Sequence, residues 1–188
     1  MEPLGGDIAV AFTDEDHRRV ETFVQEIVAQ KPNVRRTQLS ETDRMDFEVV
    51  GKLGEVAFSH HFGLPVDWGV RLGGDLCDFE LANGETVDVK SVPVQKNMDY
   101  DYGIPVGDGE SLATYYVQVL VSPDRQRAVI TGGISRERFD AISYKEEGWQ
   151  HRGEVRPNVV SRSSLKQCWP ECFYQKGGDN DSGKRVRV

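Results

Sequence analysis

The chain has 188 residues, 38% of them apolar, which is adequate for one hydrophobic core in a single domain. No apolar run approaches the length of a membrane span, and the N-terminus lacks the basic-then-apolar layout of a signal peptide, so a soluble, cytoplasmic protein with no membrane contact is expected. A net charge of −8 argues against nucleic acid for the molecule as a whole. That charge is unevenly divided, with 10 basic and 22 acidic residues over 1–120 but 13 basic and 9 acidic over 121–188. One local basic face would suffice to bind a polyanion.

Residues 1–12 read as a short extended lead-in. Thr13 is then the N-cap of a helix whose first turn carries Asp14, Glu15 and Asp16, where the helix dipole favours acids. Val20, Phe23, Val24, Ile27 and Val28 recur at helical spacing, so residues 14–30 form an amphipathic helix ending before Pro32. A second helix is expected over about 41–62. Its inward face would carry Val49, Leu53, Val56, Ala57 and His60, with Glu48, Lys52, Glu55 and Ser59 along another face. Gly51 and Gly54 each cost about 1 kcal/mol in a helix interior relative to alanine. Such a cost points to a close approach by the sheet or by a phosphate. Residues 64–71 are expected to form the first core strand or its approach, followed by a turn at Gly73-Gly74-Asp75.

The stretch from Asp78 to Lys90 reads as a hairpin, and its register decides its chemistry. A two-residue Asn83-Gly84 turn would oppose Phe79 to Asp88 and mix apolar with charged side chains on both faces. A three-residue loop, Ala82-Asn83-Gly84 with Gly84 left-handed, opposes Leu81 to Glu85 and Asp78 to Asp88. Phe79, Leu81, Val87 and Val89 then share an apolar face, and Asp78, Glu80, Thr86, Asp88 and Lys90 share the other. Opposed aspartates have Cβ atoms roughly 4.5–5.5 Å apart and repel each other. They make sense with a cation between them, although an ordinary solvated polar face is the alternative.

Residues 96–112 show no periodicity and form either a functional loop, in which Tyr100 and Tyr102 could stack on bases, or a disordered one. Residues 115–121 and 127–134 read as strands joined at Ser122-Pro123-Asp124, and Ser135 caps a short helix. Residues 145–175 are irregular and rich in arginine and aromatic side chains. Residues 1–175 therefore form one domain and 176–188 a flexible tail. The odd count of three cysteines fits a reducing compartment, and Cys168 and Cys172 lack a second pair of zinc ligands.

Asp78, a hairpin, then Asp88-Val89-Lys90-Ser91 resembles the core motif of the PD-(D/E)XK, or restriction-endonuclease-like, nuclease superfamily. The order helix, hairpin, strand, strand, helix over about 44–143 resembles its core, and Gly51-Lys52-Leu53-Gly54-Glu55 resembles its first helix, which carries an acid. The chain departs from the pattern at Cys77, where the motif has proline. Gln95 and Tyr100 are also one residue too far apart for the glutamine–tyrosine signature of the RecB branch. The resemblance implies an α/β fold with a mixed central sheet flanked by helices, and Mg²⁺-dependent DNA hydrolysis in which Mn²⁺ can substitute. Endonuclease and exonuclease action both remain open. It implies that Asp78, Asp88, the Val89 carbonyl and Glu55 hold the metal, with Asp75 as a reserve ligand. Lys90 would orient the attacking water and stabilise charge on the phosphate. Lys52, Arg152, Arg156 and Arg162 are the candidate DNA contacts, and a homodimer is left open. Against a role for Glu55 in catalysis stands a plain ion pair with Lys52. Against the enzyme stands an inactive module of the same fold that binds nucleic acid or a protein.

Overall fold

Thr13 and Asp16 cap each other at the start of the first long helix. The Thr13 hydroxyl accepts from the Asp16 backbone N–H at 3.2 Å, and the Asp16 carboxylate accepts from the Thr13 N–H at 2.8 Å. This reciprocal pairing satisfies two donors that a helix end leaves open. The helix, Asp14–Gln30 (α1), has the expected bounds and buries Val20, Phe23 and Val24. The structure is a computed structural model that describes residues 7–30, 41–70, 77–94, 104–106, 112–145, 158–160 and 165.

Around α1 the described elements are Ile8–Ala11 (β1), Glu41–Phe62 (α2), Phe79–Glu80 (β2), Thr86–Pro93 (β3), Ile104–Val106 (β4), Tyr115–Val121 (β5), Arg127–Ser135 (β6), Arg136–Ile142 (α3), Tyr144–Lys145 (β7) and Asn158–Val160 (β8). The main sheet has the order β1-β6-β5-β3-β2 and is mixed, since β3 and β5 are parallel and the other pairs antiparallel. A smaller sheet has the order β4-β8-β7. The expected α/β class with a mixed sheet flanked by helices is what the chain forms. No described helix is long and apolar enough to cross a membrane.

Two apolar clusters occupy the two faces of the main sheet. On one face Leu53, Val56, Ala57 and Phe58 of α2 pack with Val87, Val89, Val117 and Val119, and α1 covers α2 from outside. On the other face Tyr116, Ile134 and Phe139 pack with Ile104, Val106 and Leu165. The alternation of strand side chains separates the clusters: Val117 goes to the first, Tyr116 to the second. Because α2 lies between α1 and the sheet, it is buried on several sides, Lys52 included.

Three expectations are corrected or refined. Residues 64–70 form no strand, and their backbone groups find side chains instead. Ser59 donates to the Leu64 carbonyl at 2.6 Å, Lys52 donates to the Asp67 carbonyl at 3.0 Å, and the Gly69 N–H donates to the Asp67 carboxylate at 2.8 Å. Residues 8–11, expected only as part of a short extended lead-in, are a sheet strand paired along β6 from Ile8↔Ile130 to Ala11↔Arg127. His60 does not face the core. It is exposed and meets the Asp16 carboxylate at 3.1 Å, tying α2 to the first turn of α1.

Candidate metal and phosphate site

The hairpin adopts the three-residue loop. Phe79 pairs with Val87 and Glu80 with Thr86. The Leu81 N–H donates to the Glu85 carbonyl at 2.7 Å, and the Gly84 N–H donates to the Leu81 carbonyl at 2.8 Å. Gly84 has φ +81°, as the loop requires. Asn83 stabilises the turn by accepting from the Glu85 N–H at 3.1 Å. Phe79, Leu81, Val87 and Val89 are all buried. The paired ladder ends at Phe79 and Val87, and its register continued by one step would set Asp78 against Asp88. There the regular ladder stops, because the Asp78 carboxylate takes the Val89 N–H at 2.6 Å and its own N–H goes to the Val87 carbonyl at 2.9 Å.

The electrostatics follow from this crowding. Burial pushes the Asp78 carboxyl well above its ordinary value, and the negative charges of Glu55 and Asp88 push it further. The Val89 N–H and the Lys90 ammonium pull the other way and do not offset it. Asp78 thus lies within electrostatic reach of two other carboxylates, Glu55 on α2 and Asp88 on β3. The Lys90 ammonium sits 3.1 Å from Asp88, and Asp88 is buried.

Glu55 stands on α2 with its side chain only 14% exposed, paired to Lys52 Nζ at 2.5 Å. Its helix is brought close to β3 by Gly54, which faces Ser91 and Val89. Lys52 is 6% exposed, and its ammonium lies 4.2 Å from the centre of the Phe23 ring. The geometry therefore makes Lys52 an interior partner of Glu55, not a side chain presented to a DNA backbone. Arg152, Arg156, Arg162 and Asp75 lie outside the described residues, as do Tyr100, Tyr102, Cys168 and Cys172.

The parallel register brings in two side chains that a reading of the hairpin alone misses. Tyr116 on β5 is the neighbour of Asp88 and Gln118 is the neighbour of Lys90, so both share the polar face of the hairpin. Tyr116 is buried, and burial raises its phenol. The Arg136 charge opposes that rise, Asp88 and Asp140 add to it, and Lys90 counters it. Gln118 is fully buried and accepts from the Thr131 hydroxyl at 2.6 Å. Thr131 is the residue left over where the pairing shifts between Gln118↔Gly132 and Val119↔Ile130. The one available signal was a glutamine inside the apolar run Tyr-Tyr-Val-Gln-Val-Leu-Val.

The oxygen donors of Asp78, Asp88 and Glu55 suit a hard divalent cation, and the repulsion of Asp78 by the other two is what such an ion would relieve. Among the described residues no three such side chains converge as a ready-made cage. Each carboxylate instead leans on its own donor: Glu55 on Lys52, Asp78 on Val89, Asp88 on Lys90. Comparison with family models and with curated proteins returned no match to this chain.

Proposed function

We propose that the protein is a metal-dependent nuclease of the restriction-endonuclease-like class that hydrolyses DNA phosphodiester bonds. The observation that carries this reading is the crowding of Asp78 with Glu55 and Asp88, beside a Lys90 ammonium 3.1 Å from Asp88. A divalent ion such as Mg²⁺ or Mn²⁺ would be held by Asp78, Asp88, Glu55 and the Val89 carbonyl, and it would polarise a phosphate oxygen and acidify a bound water. The mixed sheet, with β3 parallel to β5 beside the hairpin and α2 behind it, is compatible with that core.

The side chains of this chain contribute the rest. Lys90 holds positive charge at the rim of the cluster, where it neutralises the negative charge that grows on a phosphate as a fifth oxygen approaches. Its contact with Asp88 fixes the ammonium in place before substrate arrives, which removes a reorganisation cost at the moment of reaction. Tyr116 and Gln118 fill the sheet beside Asp88 and Lys90, so those two side chains have little room to turn into the sheet.

The test is incubation of purified protein with linear, circular and branched DNA in Mg²⁺, Mn²⁺ or EDTA, with Asp88→Asn as control. Cleavage by the wild type alone, abolished by EDTA, supports the reading. Equal cleavage by Asp88→Asn would remove it and leave a nucleic-acid or protein-binding module of the same fold, for which the expected result is binding without cleavage.

A further inference from the structure

We infer that Lys52 is a positioning residue for Glu55, an interior ammonium that holds this carboxylate beside Asp78 for metal binding. The inference rests on the metal-dependent reading above and adds a residue to it.

Lys52 is an unusual side chain to find inside. Taking an ammonium out of water costs several kcal/mol, and an apolar residue of similar length often serves stability as well or better. Its donors are nevertheless placed with care. One meets Glu55 Oε2 at 2.5 Å, another meets the Asp67 carbonyl at 3.0 Å, and the charge lies over the Phe23 ring at 4.2 Å. The Trp68 ring centre is 5.8 Å away. Phe23 of α1, together with the Asp67 carbonyl and the Trp68 ring of the segment after α2, holds the ammonium in place beside Glu55.

Glu55 is one helical turn further along α2, next to Gly54, whose missing side chain lets the helix close on Ser91 of β3. A glutamate there has several rotamers, and the like charge of Asp78 disfavours those that face it. The Lys52 contact favours the rotamer that meets its ammonium and offsets the repulsion. Lys52 touches neither aspartate in any contact described above, so its effect on the site passes through Glu55. Partners of this kind, one shell removed from a metal, typically change metal affinity by about 10–100-fold when lost.

The bland alternative is a structural pin between α2 and the segment 64–70. Mn²⁺ titration separates the two, by calorimetry or by the loss of free-ion paramagnetic signal, on the whole chain with thermal unfolding recorded alongside. Lys52→Met is expected to weaken Mn²⁺ binding about 10–100-fold. Lys52→Arg, which keeps the charge, is expected to restore most of it. The double variant Lys52→Met/Glu55→Gln is expected to bind as Glu55→Gln does alone, because a residue acting through Glu55 has nothing left to act on. If Lys52→Met does not fold, Lys52→Gln replaces it with the same expectations, since its amide can still donate to the Asp67 carbonyl. Unchanged Mn²⁺ affinity in the lysine variant while Glu55→Gln loses affinity overturns the inference and leaves the metal site standing. Independent, additive losses in the double variant overturn it too. A wild type that binds no Mn²⁺ removes the metal reading itself, and the inference with it.

Discussion

Gly54 on α2 lies against Ser91 on β3 so closely that a Cβ on the glycine would fall 1.7 Å from the serine hydroxyl and 2.8 Å from its Cβ. The helix carrying Glu55 can therefore approach the strand carrying Asp88 and Lys90 only because this position has no side chain. Gly51, one turn back, has open space around its would-be Cβ, and its carbonyl accepts from the Ser91 hydroxyl at 3.4 Å. Of the two glycines, Gly54 is the one that sets the spacing.

Gly54→Ala should accordingly destabilise the protein, although alanine is the better helix former. The propensity gain is about 1 kcal/mol, and inserting a methyl group into a filled contact costs about 1–3 kcal/mol. The Ser91 Cβ is itself too close, so turning the hydroxyl aside does not relieve the clash. A lower melting temperature in Gly54→Ala, regained when Ser91→Gly is added, is the expected pair of results. A Gly54→Ala variant as stable as the wild type would mean that α2 and β3 separate freely.

The raised carboxyl of Asp78 has a definite sign in stability. A carboxylate whose folded value lies above its unfolded value binds its proton more tightly when folded, so raising pH works against the fold. The loss should begin near the ordinary value of 3.8 and continue up to the raised folded value. Asp78→Asn should remove this part of the pH dependence and be more stable than the wild type at neutral pH. Mn²⁺ should give back stability to the wild type, more so at the higher pH, where no proton competes for the site. Unfolding curves across pH with and without the ion read both effects, and parallel curves for wild type and Asp78→Asn would contradict the assignment.

Lys90→Met keeps the length and apolar stem of the side chain and removes its charge. If Lys90 stabilises the developing charge on phosphate, turnover should fall by about 100–1,000-fold with KM for DNA changed much less. Single-turnover cleavage at saturating Mg²⁺ makes the separation. A change confined to KM would recast Lys90 as a contact for bound DNA only.

Local chemistry was legible in the sequence and long-range pairing was not. The bounds of α1 follow from Thr13 and a stripe of five apolar residues, and the hairpin register follows from Asn83-Gly84 and alternation over thirteen positions. Both are settled by neighbours in the chain. β1 escaped because Ile-Ala-Val-Ala is short and its partner β6 is far away in sequence. Tyr116 and Gln118 escaped because only the parallel register places them beside Asp88 and Lys90. Lys52 was misread for the same reason: its spacing on α2 marks a polar face, and what covers that face is α1 and the segment around Trp68.

The division of charge along the chain leads to a further expectation about DNA. Arg152, Arg156 and Arg162 belong to the portion with 13 basic and 9 acidic residues. Phosphate contacts release counterions, so affinity should fall steeply with salt, and each lost contact should flatten the logarithmic slope by about one unit. Replacing all three arginines by glutamine should weaken DNA binding and flatten that slope while leaving Mn²⁺ affinity as it was. Anisotropy titrations over a salt series give the slope. An unaltered slope would move the DNA contact to another face.

Gly84 offers the cleanest test of the hairpin, because nothing lies within 4 Å of where its Cβ would be. Any cost of substitution there comes from φ +81° alone. Asparagine visits the left-handed region readily and valine does not. Gly84→Asn should therefore be close to wild type, and Gly84→Val should lose about 1–3 kcal/mol of stability. The valine variant has a second way out, which is to shorten the turn and slip the register by one residue. That slip would oppose Phe79 to Asp88, send one aspartate to the apolar face, and disperse the carboxylate cluster. Mn²⁺ affinity measured on the folded fraction distinguishes the two results. Retained affinity means strain in an unchanged register, and lost affinity means that Gly84 fixes the opposition of Asp78 and Asp88.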